Sequence, residues 1–133
     1  MSANLEFLAK IAVDCGFKLH DQLGPGLLES VYEIFLCESL KQRRLTVERQ
    51  KVIAIKYNGV TLDEGFRADL IVEGQLLIEV KSVERFAPVH GKQVLTYLRL
   101  MNLPLGLLMN FGTAAFRDGL KRVANDYYGD LFR

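Results

Sequence analysis

The sequence predicts an α/β domain built on a mixed sheet. Three observations carry this: two amphipathic helical stretches come first, β-branched runs joined by turn signals fill the middle, and another helical stretch separates the last two apolar strands. Half of the 133 residues are hydrophobic, which suffices for one core and is short for two, so residues 1–133 read as a single domain.

Residues 5–20, LEFLAKIAVDCGFKLH, place Leu5, Leu8, Ile11, Ala12, Cys15 and Leu19 near the 3.6-residue period of a first helix. The LGPG run at 23–26 breaks it, because two glycines and a proline oppose continuation. LLESVYEIFLCESLKQRR then resumes the helical period to about Arg44. From Thr46 the texture changes to VERQKVIAIKY, and Asn58-Gly59 between β-branched runs predicts a hairpin with strands near 47–57 and 60–63. Two more strands are expected near 65–72 and 76–82. A helix follows Pro88 over about 89–101, and LPLGLLMNF at 103–111 reads as a buried strand. The closing AAFRDGLKRVANDYYGDLFR suits either a helix or a strand and a helix, and its terminal aromatics read as cover for the core or as a contact surface.

Charge and cysteine usage narrow the function classes. Seventeen basic residues against sixteen acidic leave a formal charge of +1, so neither a polycationic surface nor an acidic, disordered chain is implied, and any anion site must be local. Cys15 and Cys37 fall in helical segments without zinc-type pairing, as expected of buried thiols in a reducing compartment. No leader is recognised and no apolar run approaches the roughly 18–20 residues of a membrane span. A cytoplasmic protein is expected.

The hairpin at 65–82, GFRADLIVEGQLLIEVKS, poses the chemical question. Alternation puts Phe66, Ala68, Leu70 and Val72 on one face, and Arg67, Asp69 and Ile71 on the other. The next strand sorts Leu76, Ile78 and Val80 against Leu77, Glu79 and Lys81. Bringing the apolar faces together requires even positions to oppose even ones, which selects the three-residue loop Glu73-Gly74-Gln75. Asp69 then faces Glu79, and Arg67 faces Lys81. Like charges placed so repel, and a divalent cation would compensate them: Asp69, Glu79 and the Val80 carbonyl are hard oxygen donors suited to Mg2+ completed by waters. Such an ion would polarise a phosphoryl oxygen, with Lys81 holding water or offsetting transition-state charge. Against this stands the plainer reading, a solvated acidic face.

These residues, on these elements, resemble the PD-(D/E)XK nuclease superfamily and, more closely, its small GxxExxY family. Gly26, Glu29 and Tyr32 in GLLESVY match the naming motif, RADL supplies Asp69, EVK supplies Glu79 and Lys81, and PVHGKQVLTYL carries Gln93 and Tyr97 four apart. The resemblance runs from about Ile11 to Asn125. It implies a restriction-endonuclease-like core, a central mixed β-sheet flanked by helices, with a Mg2+ (or Mn2+) site where the strand pair splays. It also implies Glu29 as a further acidic ligand and Gln93 and Tyr97 as supporting or phosphate-contacting groups on one helix face. Glu33, one turn after Glu29, is expected to be an exposed helix carboxylate, and Tyr97 reads equally as a core aromatic. His20 and His90 form no zinc motif and are expected to cap or support. The basic groups Lys41 to Arg44 with Arg49 and Lys51, and Arg117, Lys121 and Arg122, suit phosphate or simple solvation.

The leading expectation is a metal-dependent nuclease with catalytic Glu29, Asp69, Glu79, Lys81, Gln93 and Tyr97 and metal ligands Asp69, Glu79, Val80 and Glu29. Its partner is nucleic acid, DNA ahead of RNA, cut nonspecifically or by structure because little chain remains for a recognition domain; a homodimer is the way such a small domain would span two strands. The competing readings are a catalytically silent nucleic-acid-binding or assembly module of the same fold, and a structural protein whose acidic pair is decoration.

Overall fold

In a computed structural model, which describes residues 4–126, the first helix, α1 (Leu5–Leu23), starts at Asn4. Its side-chain oxygen accepts hydrogen bonds from the Glu6 and Phe7 amides, at 2.8 and 3.3 Å. The helix ends where the Gly24 amide donates to the His20 carbonyl. Leu8, Ala12 and Cys15 form its buried stripe and pack with Tyr32, Leu36, Cys37 and Leu40 of α2 (Glu29–Gln42). Both cysteines are free and buried, and desolvation raises their thiol pKa values.

Five strands follow in the spatial order β1 (Val47–Tyr57), β2 (Val60–Val72), β3 (Leu76–Lys81), β4 (Leu105–Asn110) and β5 (Leu120–Ala124). All neighbours are antiparallel except β3 and β4. That parallel pair needs a crossover, which α3 (Pro88–Met101) supplies. The mixed α/β sheet anticipated from the sequence is thus present. A short 3-10 turn (Phe116–Gly119) leads into β5, so the strand alternative holds for the first part of the tail, while the aromatic run at 127–133 lies outside the described residues.

The sheet is covered on both faces. Leu70, Val72, Leu76, Ile78 and Val80 join α1 and α2 in one core, and Ile71, Leu77 and Leu108 join Val94 and Leu98 of α3 in another. Ala68, expected to share a face with Leu70 and Val72, falls in this second core with Ile71 and Leu77, and the face that alternation assigned to polar groups is half core. No helix among the described residues is long and apolar enough to cross a membrane.

One expectation is corrected. Residues 60–63 and 65–72 are not two strands but the single thirteen-residue β2. Ile53 pairs with Phe66 and Ile55 with Leu62, so β2 advances four residues while β1 advances two. The surplus forms a bulge, and Gly65 sits so close to Ile55 that a Cβ there would lie 2.3 Å from Ile55 Cγ1. A glycine that punctuates the sequence like a break instead lets two backbones approach.

This contact makes a prediction. Gly65→Ala should destabilise the fold by about 1–3 kcal/mol through overpacking, and adding Ile55→Ala should return part of the loss; urea denaturation of the two variants, compared at unchanged m-value, measures both.

Candidate active site

The β2–β3 ladder runs from Val72↔Leu76 to Leu70↔Ile78 and stops there. The next positions in that register are Asp69 and Glu79, as the loop-length argument requires. The Asp69 amide donates to Glu79 Oε2 and the Val80 amide donates to Asp69 Oδ2, each at 2.8 Å. Bonds to the opposite backbone thus stand in for the next ladder bonds and hold both carboxyl groups in place. On its other side β3 stays paired with β4 as far as Lys81↔Asn110. There the Asn110 side chain accepts from the Val83 amide and donates to the Val83 carbonyl, at 2.9 and 2.8 Å, fixing the chain just after Lys81.

Glu79 is only 4% exposed and Asp69 is half-buried. Burial pushes both carboxyl groups well above the usual carboxylate range, and the charge of Asp69 raises Glu79 further. Backbone N–H donors and the positive charge of Lys81 act in the opposite direction without cancelling the rise. Neither carboxylate makes an ion pair with a lysine or arginine among the described residues.

Around this pair lies an open cleft of about 490 Å³, walled by the start of α2, the inner parts of β1 and β2, the end of β3, and α3. The seven residues expected as catalytic groups or metal ligands all line it: Glu29, Asp69, Glu79, Val80, Lys81, Gln93 and Tyr97. The GxxExxY segment explains how Glu29 arrives there. Gly26 has φ 104°, a conformation that L side chains resist. Tyr32, stacked on Phe111 at 4.6 Å, donates its hydroxyl to the Gly24 carbonyl and accepts from the Leu27 amide. These contacts tie down the loop, and Glu29 emerges exposed at the first turn of α2. Tyr97 lies against Phe66, ring centroids 4.0 Å apart, so it is both a packing aromatic and a cleft residue. Burial, then the charges of Glu79 and Asp69, raise its hydroxyl pKa.

Glu33 was expected to be exposed and is 5% exposed instead. It lines the cleft, accepting from Arg49 Nη1 at 2.7 Å and Gln50 Nε2 at 2.8 Å. Gln50 and Arg67 line the cleft as well, and sequence reasoning assigned neither a role there. Four consecutive polar residues, Glu48 to Lys51, at the start of a strand-like run are the signal the sequence offers. The remaining candidates lie elsewhere. His20 Nε2 is 2.8 Å from the Thr113 carbonyl, and His90 Nδ1 accepts from the Ala87 amide at the start of α3. Arg43 pairs with Asp14, Lys51 with Glu48 and Arg122 with Glu6.

The sequence model of the PD-(D/E)XK nuclease superfamily matches residues 6–123. The chain belongs to this superfamily. Its members act on nucleic acid and generally use divalent metals such as Mg2+. No curated protein and no solved structure gave a significant match. The five-stranded mixed sheet with helices on both faces is the core expected of a PD-(D/E)XK nuclease.

The donor set of this superfamily member fits a hard divalent cation. A buried and a half-buried carboxyl group side by side, with no ion-pair partner among the described residues, are costly as they stand, and oxygen donors with room for water suit Mg2+. Among the described residues no three His, Cys, Asp or Glu side chains converge into a ready-made cage.

The raised carboxyl groups set a pH dependence. A folded state that binds these protons more tightly than the unfolded chain loses stability as pH rises from the ordinary carboxylate range through the raised values. In EDTA, the melting temperature should fall over that window, and Glu79→Gln, which cannot titrate, should flatten the fall; thermal scans across pH measure the slope.

Proposed function

We propose that this domain is a metal-dependent nuclease of the GxxExxY type that hydrolyses phosphodiester bonds, with DNA the first substrate class to test. The observation that carries the reading is the Asp69–Glu79 pair, half-buried and buried respectively, at the end of a hairpin ladder, without an ion-pair partner among the described residues, and open to a cleft that Lys81 also lines. In this proposal Asp69, Glu79 and the Val80 carbonyl hold Mg2+ or Mn2+, with Glu29 reaching it from the rim. When bound, the ion supplies Lewis acidity at a phosphoryl oxygen and lowers the pKa of a coordinated water.

The chain's own groups do the rest. Lys81 orients the attacking water and offsets negative charge developing at phosphorus. Arg67, exposed at the cleft edge, and Arg49, paired with Glu33, bring positive charge to the approach of a phosphate backbone. Gln93 and Tyr97, one turn apart on α3, offer hydrogen bonds to the same phosphate. Contacts of this kind position a backbone and carry no base sequence, which supports nonspecific or structure-selective cutting.

Cleavage of labelled single-stranded, duplex and branched DNA and of RNA should require Mg2+ or Mn2+ and stop in EDTA. Asp69→Ala and Glu79→Ala should lose most activity, and Lys81→Ala about 10²- to 10³-fold, the scale of removing one group that stabilises transition-state charge. No cleavage of any substrate, with nucleic acid still bound equally by wild type and Glu79→Ala, would instead make the domain a binding module.

Binding of the ion to the folded state alone should also raise the melting temperature, with about 2.7 kcal/mol of added stability at a hundredfold excess over Kd. Asp69→Ala should abolish that rise in thermal scans.

A further inference from the structure

Gln50 lies in the middle of β1 yet has a left-handed backbone, φ 53°. Its neighbours keep strand register, Arg49 with Leu70 and Lys51 with Ala68, and the skipped position is the one opposite Asp69. A non-glycine residue holds such a conformation only where its surroundings over-determine it. Here the surroundings are two carboxylates on different elements: Gln50 Nε2 donates to Glu33 Oε1 of α2 at 2.8 Å and to Asp69 Oδ1 of β2 at 3.2 Å. A carboxyl oxygen takes the acceptor role in each bond, so the amide presents its NH2 to both.

Glu33 is held in turn. Its other oxygen accepts from Arg49 Nη1 at 2.7 Å, the residue just before Gln50. Arg49, Glu33, Gln50 and Asp69 therefore form one chain of charge-assisted bonds that starts on β1, touches α2 and ends at the carboxylate of interest. Asp69 is gripped at both oxygens, by the Val80 amide on Oδ2 and by Gln50 on Oδ1, so rotation of its carboxylate plane is blocked while further oxygen lone pairs remain for a ligand.

We propose that Gln50, with Glu33 behind it, is a positioning residue that presets the Asp69 carboxylate for the divalent cation; this rests on the metal-binding reading above. The twisted backbone is the means. It aims the Gln50 carboxamide at the gap between α2 and β2, and the lost strand pairing at that point is exchanged for two bonds to carboxylates. Groups that orient a metal ligand from behind change metal affinity typically 10- to 100-fold when removed.

The test is Mn2+ binding to the full chain, read from the free-ion signal in electron paramagnetic resonance, beside thermal scans of the metal-free protein. Gln50→Gly keeps the left-handed backbone at no steric cost and deletes the carboxamide. Gln50→Asn, which tolerates the same backbone but is one carbon shorter, is the second variant. Both should bind Mn2+ about 10- to 100-fold more weakly than wild type, with Gln50→Gly melting no lower than wild type. Glu33→Gln should weaken binding similarly, and the Glu33→Gln, Gln50→Gly double variant should be no weaker than the poorer single, as for residues acting through one chain. Arg44→Gly, at another left-handed position (φ 63°) that does not line the cleft, should bind as wild type does. Wild-type affinity in Gln50→Gly and Gln50→Asn would overturn the positioning role and leave the metal reading standing. Absence of Mn2+ binding by wild type itself would overturn that reading and the positioning role together.

Discussion

Backbone pairing between β2 and β3 gives way to side-chain pairing one residue beyond Leu70↔Ile78, where Asp69 and Glu79 take amides that the strands would otherwise offer each other. Everything else in the cleft is arranged about that substitution. A backbone N–H is a strong donor, and a carboxyl group that receives one across the gap is anchored there. The strands can then part without leaving orphaned amides, and the space between them becomes the floor of the cleft.

The cost of this arrangement is desolvation of negative charge, which the raised carboxyl groups record. It is tolerated because the surrounding sheet is buried on both faces. One core under α1 and α2 and another under α3 hold β3 between two packed layers, and Asn110 braces its outgoing end. The helices also bring the walls: α2 contributes Glu29 and Glu33, and α3 contributes Gln93 and Tyr97. Stability elsewhere in the fold supports a cluster that is locally unfavourable.

Glu29 and Glu33 show how one helix distributes two identical side chains. Glu29 stands in the first turn, exposed, after a loop held by Tyr32. Glu33, one turn later on the same face, meets β1, where Arg49 and Gln50 satisfy it. The first is available to an incoming ligand and the second is already committed. Their difference comes from what lies opposite each turn, not from the helix.

Local rules carried much of this in the sequence. Asn58-Gly59 marked the hairpin, the parity of apolar positions on either side of Glu73-Gly74-Gln75 set the register, and that register placed Asp69 beside Glu79. The spacing of Gln93 and Tyr97 put both on one helix face. These are short-range relations, fixed by dihedral preferences and by periods of two or about 3.6 residues. Gly65 misled because a glycine in a strand signals a break or a bulge alike, and only the partner Ile55 distinguishes them. The burial of Glu33, the arrival of Arg49 and the left-handed turn of Gln50 depend on how α2 lies across β1, a contact between segments 16 and 17 residues apart. The sequence by itself determined the helices, the hairpin turns and the carboxylate pair, because short-range periods and the parity of positions across a three-residue loop settle them. Only the tertiary structure decided which charges are buried, which are paired and which side chain holds Asp69, because those depend on packing between elements that no local pattern encodes.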